Sequence, residues 1–365
     1  MGFESFPFVI GWELTLACNL RCRHCGSSAG RPRDEELTLE EAMAICGQLP
    51  DLFVQEVNFT GGEPLMSPHC FDIAECLGKE GINTKILTNG LLLDQQTISR
   101  IQDAGICAIG ISLDGLELVH DKIREHSGLF NHLRKTFPLI LGANMPLTVI
   151  TTVNSWNVRQ LPSLCRFLMS EGVQNWQIQP IFHFGRANQA RELILSDEEY
   201  MLMGDFFQQW SPRAATAGLA IVPGDSFGYL CDWDNRSPPW RGCPAGLFSC
   251  GITSDGRVKG CLSLPDDEVE GDLRRKDLWD IWFHSDSFAY TRHYAAEELG
   301  PFCNSCQVAE QCRGGCSAMS LGASGQFHND PYCFRRIEGL DILNKSRVGE
   351  GKGAGLNGTC LSFLG

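Results

Sequence analysis

Short runs rich in Val, Ile and Thr alternate with helical stretches along residues 8–180. The apolar runs fall at 9–17, 56–60, 84–88, 108–113, 148–153 and 176–179, each bounded by Gly, Asn or Asp, and this pattern predicts strands. Between them, apolar residues recur at helical spacing near 69–80, 94–104, 130–141 and 157–171. Thr38 with Glu41 three residues on is a capping box that starts a further helix, and Ser196 with Glu199 starts another that runs to about residue 215. Six β-then-helix units with short connections imply a parallel sheet. Six units cannot close an eight-stranded barrel. The pattern therefore predicts an α/β fold, a partial (β/α)6 barrel of the TIM type, with ligands at the C-terminal ends of its strands.

Beyond Pro223-Gly224 the periodicity fades, and residues 225–340 carry nine cysteines in short irregular segments. So little apolar pattern predicts a small domain stapled by something other than a hydrophobic core. The expected organisation is a core domain over 1–224, a cysteine-rich domain over 225–340 and a glycine-rich tail over 341–365.

Composition narrows the chemistry. The chain has 365 residues, 43% hydrophobic and 20% charged, as a soluble globular protein has. A formal charge of −14 argues against a nucleic-acid binder. No apolar run reaches the roughly 18 residues of a membrane span, and no secretory signal opens the chain. The expected location is the cytoplasm, where thiols stay reduced, so the 18 cysteines read as metal ligands in part rather than disulfides.

Cys18, Cys22 and Cys25 follow the first strand at C-x3-C-x2-C spacing. Three thiolates this close can hold a cubane and leave its fourth iron open. Zinc is the alternative, but it prefers four ligands, and His24 beside Cys25 is awkwardly placed for the fourth. Gly61-Gly62-Glu63-Pro64 ends the second strand; the glycines allow close backbone approach, and the carboxylate can accept from an ammonium. Thr88-Asn89-Gly90 and Ser112-Leu113-Asp114-Gly115 end the third and fourth strands as ordinary turns. Downstream, Cys303-x2-Cys306-x5-Cys312-x3-Cys316 is followed by Cys333 and preceded by Cys243-x12-Gly256-x4-Cys261.

Together these motifs resemble the radical S-adenosylmethionine (SAM) superfamily with a C-terminal SPASM domain, over residues 8 to about 340. The resemblance implies SAM and three [4Fe–4S] clusters as cofactors. It implies a first cluster on Cys18, Cys22 and Cys25, with SAM near His24, Gly61, Gly62, Glu63, Ser112 and Arg124, and Asn154 and Gln179 toward its ribose. It further implies an outer auxiliary cluster on Cys303, Cys306, Cys312 and Cys333, and an inner one on Cys243, Cys261 and Cys316. Cys250 is either the fourth inner ligand or a packed thiol.

Radical SAM chemistry generates a 5′-deoxyadenosyl radical that takes a hydrogen atom from an unactivated carbon. The implied function is a maturase that installs a thioether or carbon–carbon crosslink in a ribosomally made peptide or protein. Its implied partners are that substrate, an electron donor such as flavodoxin or ferredoxin, and a separate leader-recognition protein if the substrate carries a leader. Four other readings stay open. A formylglycine-forming sulfatase maturase would carry an Asp base after the cysteine matching Cys261, where this chain has Leu262. A peptide epimerase needs a thiol hydrogen donor, for which Cys231 and Cys360 are candidates. The motifs also allow a tetrapyrrole or small-molecule enzyme. A plain iron–sulfur electron carrier would need no Gly61-Gly62-Glu63 loop.

Overall fold

The computed structural model describes residues 5–224, 226–231 and 240–339. The six predicted strands are β1 (Val9–Thr15), β2 (Glu56–Gly61), β3 (Asn83–Thr88), β4 (Ile106–Ser112), β5 (Leu147–Val153) and β6 (Asn175–Pro180). They pair in parallel in chain order, as right-handed crossovers between neighbouring strands dictate. The connecting helices are α1 (Leu39–Cys46), α2 (Cys70–Lys79), α3 (Gln95–Asp103), α4 (Glu117–Arg124), α5 (Leu129–Gly142) and α6 (Leu161–Ser170). After β6 come the short α7 (Gly185–Gln189), the long α8 (Asp197–Thr216) and a seventh parallel strand, β7 (Ala220–Pro223). Both predicted capping boxes form, at Thr38 with Glu41 and Ser196 with Glu199.

Strand alternation sorts the side chains. Ile10, Trp12, Val57, Phe59, Ile86, Ile109, Ile111, Val149, Trp176 and Ile178 point outward and are buried under the helices as one core. Each fully buried residue of this size contributes about 1.5–3 kcal/mol. The alternate positions Glu13, Thr60, Leu87, Ser112, Ile150, Thr152 and Gln179 face a central cavity. The partial barrel is thus apolar outside and largely polar within.

The cysteine-rich region does not stand apart from this sheet. Its strands β8 (Ser249–Ile252), β9 (Arg257–Lys259) and β10 (Gly271–Asp272) give one ten-stranded sheet in the order β10-β9-β8-β1-β2-β3-β4-β5-β6-β7. β8 runs parallel to β1, with Ile10 opposite Cys250 and Gly11 opposite Gly251. A Cβ on Gly251 would lie 2.7 Å from Leu262 Cγ, so Leu262 covers the inner face there. Beyond the sheet, Tyr229, Trp240, Leu264, Cys312, Cys316, Ala318 and Met319 form a second, small core. Among the described residues no helix is long and apolar enough to cross a membrane.

Candidate active site

The chain leaves β1 and turns into the three-cysteine loop at the C-terminal end of the sheet. Gly30 N–H donates to Leu16 O at 2.9 Å and Cys18 N–H to Gly30 O at 3.3 Å, closing the loop's base. Arg186 of α7 holds the far side. Its Nε donates to Cys22 O at 2.8 Å, its Nη1 to Ala29 O at 2.8 Å and its backbone N–H to Cys25 O at 2.9 Å. Gly185 beside it has φ +56°, and a Cβ there would sit 2.2 Å from Gly26 O, so only glycine permits this approach. All three thiols are free. Burial pushes those of Cys18 and Cys22 up, with Arg124 opposing it at Cys22. Donors face them: Leu20 N–H and Asn89 Nδ2 lie 3.4 and 3.9 Å from Cys18 Sγ, and Arg124 Nη1 lies 3.7 Å from Cys22 Sγ.

The loop opens onto the central cavity, about 520 Å³ in volume, well within the range of small-molecule sites. Gly61, with φ +133°, and Gly62 form its floor; a Cβ on either would lie 2.3 Å from Thr15 O or 2.1 Å from Ala17 O. Ser112, Arg124, His24 and Gln179 also line it. Glu63 and Asn154 lie beneath the cavity surface. Glu63 is fully buried behind the floor and does not line the cavity. Its carboxylate accepts from Thr88 Oγ1 at 2.7 Å and from Asn89 N–H at 2.8 Å. Burial pushes its carboxyl up to about 7 against these bonds. Asn154 is also fully buried and caps its own turn, its Nδ2 donating to Thr152 O.

Asp114, which the sequence presents as a turn residue, lies behind one cavity wall and bonds three residues that line it, His24, Arg124 and Thr152. It is fully buried. Its Oδ2 accepts from Arg124 Nε at 2.6 Å and lies 3.2 Å from His24 Nε2, and its Oδ1 accepts from Thr152 N–H at 3.0 Å. Burial opposes ionisation, but Arg124 and His24 hold its carboxyl well below the usual range. His24 Nδ1 is buried without a partner. On the opposite wall Arg33 donates from Nε to Glu13 Oε1 and from Nη1 to Asp266 Oδ2, both at 2.7 Å. Burial works against Asp266, yet Arg33 and Lys259 hold it down to about 2.

The downstream cysteines gather in two places. The Cys243 and Cys316 thiols lie close together, Cys316 holding the Cys243 thiol down, and Cys261 is within electrostatic reach of both. Phe182, Phe184 and Leu264 line the central cavity and also pack into the small core that holds Cys316, with Cys243 and Cys261 against it. Cys303, Cys306, Cys312 and Cys333 line a second cavity of about 240 Å³. Cys250 joins neither group. It shares Ile10's outward side of the sheet, opposite the face that Leu262 covers, and it packs in the barrel core. Burial pushes its thiol up to about 12, with Arg292 pulling back. Cys231 is buried, its Sγ 3.9 Å from Tyr229 O, and does not line the central cavity; Cys360 lies outside the described residues.

The profile of the radical SAM superfamily matches residues 12–168, and that of the SPASM iron–sulfur cluster-binding domain matches residues 243–307. This chain is a radical SAM enzyme with a SPASM domain. It is 27% identical over 357 residues to the AdoMet-dependent heme synthase of Methanosarcina barkeri, covering 92% of this chain and 99% of that one. It is also 27% identical to the mycofactocin maturase MftC of Mycobacterium tuberculosis, over 86% of this chain and 79% of the relative. The fold matches Streptococcus suis SuiB bound to S-adenosylmethionine with a TM-score of 0.72 at 18% identity, over 90% of this chain and 78% of SuiB. It matches anSMEcpe with bound AdoMet with a TM-score of 0.71 at 15% identity, over 94% and 95% of the two chains.

The cofactors of a radical SAM/SPASM enzyme, SAM and iron–sulfur clusters, fit the residues present. A cubane takes each thiolate at a different corner, so its ligands need not converge on one point. Among the described residues no three His, Cys, Asp or Glu side chains do converge as a single ion requires. The N–H groups aimed at Cys18 and Cys22 suit ligated thiolates. The glycine floor and the orphaned His24 Nδ1 give the cavity a backbone cradle and a polar handle. Asp114 and Arg186 escaped the sequence reading. The signal for Asp114 was its place at a strand's C-terminal end; for Arg186 it was the preceding glycine.

Proposed function

We propose that this radical SAM/SPASM enzyme installs a crosslink, foremost a thioether, in a ribosomally made peptide or protein. When bound, SAM and the reduced first cluster supply a 5′-deoxyadenosyl radical. Cys18, Cys22 and Cys25 would hold that cluster. Cys303, Cys306, Cys312 and Cys333 would hold an outer auxiliary cluster, and Cys243, Cys261 and Cys316 an inner one. The observation that carries the reading is Cys250, turned into the barrel core on the outward side of β8. An inner cluster with three protein thiolates keeps one iron for a substrate thiol. Phe182, Phe184 and Leu264 connect that trio to the central cavity. Electrons would come from flavodoxin or ferredoxin, and a leader, if the substrate carries one, would be read by a separate protein or by this chain's own surfaces.

Three observations weigh against the rivals. Leu262 stands next to Cys261 and cannot act as the base that formylglycine formation needs. Cys231, offered as an epimerase's hydrogen donor, does not line the cavity. A tetrapyrrole reading is favoured by the relatives named heme synthase. Yet among the described lining residues every arginine already has partners: Arg33 has Glu13 and Asp266, Arg124 has Asp114, and Arg186 has backbone carbonyls. Porphyrin propionates would have to draw these arginines from their partners or settle for weaker neutral donors.

The test is anaerobic. Reconstituted enzyme with SAM and a reductant is offered either a cysteine-containing peptide encoded beside its gene or an iron porphyrin that is a haem precursor. Mass spectrometry is expected to show a peptide lighter by two hydrogens that resists thiol alkylation. A modified porphyrin beside an untouched peptide would overturn the proposal.

A further inference from the structure

We propose that Arg124 and Asp114 set the reduction potential of the cluster on the three-cysteine loop, Arg124 raising it and Asp114 restraining that effect. This makes both residues positioning residues, and it rests on Cys18, Cys22 and Cys25 holding that cluster.

The geometry fixes a cation beside a cluster sulfur. Arg124 ends α4 with its side chain only 10% exposed. Its Nε donates to Asp114 Oδ2 at 2.6 Å, and its Nη1 points at Cys22 Sγ from 3.7 Å. The guanidinium has little freedom, because Asp114 is held from four directions. Thr152 N–H donates to its Oδ1, Asn157 Nδ2 donates to its backbone carbonyl at 2.7 Å, and its own N–H donates to His120 Nδ1 at 3.0 Å. His24 Nε2 adds a contact at 3.2 Å from inside the cysteine loop. The end of β5, the last turns of α4 and the cysteine loop are therefore tied together around Asp114.

Arginine stays charged in any protein setting. Hydrogen bonds to cluster sulfurs and nearby net charge both shift cluster potentials. A buried cation favours the reduced cluster, which carries one more negative charge, and low dielectric strengthens the effect. Asp114 cancels part of that cation while aiming it. The two residues consequently act with opposite sign, which a merely structural pair would not do.

The experiment uses the full chain, anaerobically reconstituted and free of SAM, with the loop cluster followed by electron paramagnetic resonance through a redox titration. At the wild-type midpoint, Arg124→Gln is expected to lower the ratio of reduced to oxidised loop cluster about tenfold, which is about 59 mV for one electron. Asp114→Asn is expected to raise that ratio, and Arg124→Lys, which keeps the charge, to fall between wild type and Arg124→Gln. Iron content is measured for each variant, so that Arg124→Lys and Asp114→Asn carry the test if Arg124→Gln fails to load. Unmoved midpoints in loaded variants, or shifts of one sign for Arg124→Gln and Asp114→Asn, would overturn the proposal. So would a tenfold loss of SAM affinity in Arg124→Gln with an unmoved midpoint, which assigns Arg124 to SAM instead. If Cys22→Ala loses no iron and no signal, the loop-cluster reading itself falls and the proposal with it.

Discussion

The barrel and the cysteine-rich region share one sheet but hold together differently. The barrel buries a continuous core from Ile10 to Trp176 beneath its helices. The cysteine-rich region sends Ile252, Val258, Leu278, Ile281, Trp282 and Phe288 into that same core and adds a small one in which Cys312 and Cys316 are themselves members. Its turns are tight enough that a Cβ on Gly314 would lie 2.4 Å from the backbone of His328. One region is organised by apolar burial and carries a cluster site at its rim. The other leans on that burial through its strands, and around Cys312 and Cys316 it builds its cluster sites into a small core of their own. Losing a cluster should therefore matter structurally in the second region and chemically in the first.

The largest expected effect tests this contrast directly. Loaded enzyme should hold about twelve irons, four per cubane. Changing Cys18, Cys22 and Cys25 together to Ala should remove about four, leaving far-UV circular dichroism and the melting transition nearly unchanged. Changing Cys312 and Cys316 to Ala should remove about eight and expose residues 240–339 to limited proteolysis. Equal protease resistance of the two variants would erase the distinction. Stoichiometric zinc in place of iron would erase both readings.

Glu63 sharpens the barrel side. Its folded carboxyl sits near 7 because burial disfavours the charge, above the ordinary unfolded value of about 4.3. A raised carboxyl contributes stability that is full below the unfolded value. It is lost as pH climbs to the folded one, by on the order of 3 kcal/mol. Chemical denaturation of Glu63→Gln against wild type should show that difference open between pH 4.5 and 7 and then level off. A pH-independent difference would mean that the carboxylate is ionised in the fold. SAM affinity should change less than stability, because Glu63 lies behind the floor.

Arg186→Ala removes two side-chain bonds to the cysteine loop, at about 0.5–1.5 kcal/mol each. The expected outcome is a loop cluster that loads incompletely, while the SPASM sites load as before; site-resolved Mössbauer spectra separate the two. Cys250→Ala is the smallest change. It should cost about 1 kcal/mol of packing and leave the auxiliary-cluster resonance unaltered. A changed resonance would return Cys250 to the inner cluster.

Much of the barrel was legible in the chain, because its period-2 runs and capping boxes are local signals. Predicted strands 84–88 and 148–153 match β3 and β5 to within one residue at each end. β7 was not seen, since a four-residue strand carries too few positions to show a period. Within the site, the cysteine spacings and the paired glycines were readable because they are contiguous. The burial of Glu63 was not readable, because the sequence does not say on which side of a glycine floor a carboxylate will fall. Asp114 was read as a turn because its partners His24, Thr152 and Arg124 come from three separate segments. Cys250 remained two-sided until the register of β8 with β1 fixed its direction.

That register also dictates an order of assembly. β1 takes β2 on one edge and β8 on the other, yet β8 lies about 240 residues later in the chain. As the chain emerges from the ribosome, β1 can pair with β2 early, while its second edge stays bare until the cysteine-rich region has been made. An unpaired strand edge invites the wrong partner, and the three-cysteine loop hangs from the end of that same strand. Long-range pairing of this kind closes slowly. Newborn chains therefore pass through an interval in which the three-cysteine loop is already made while the strand that carries it still has a bare edge, until the last strand seals the sheet.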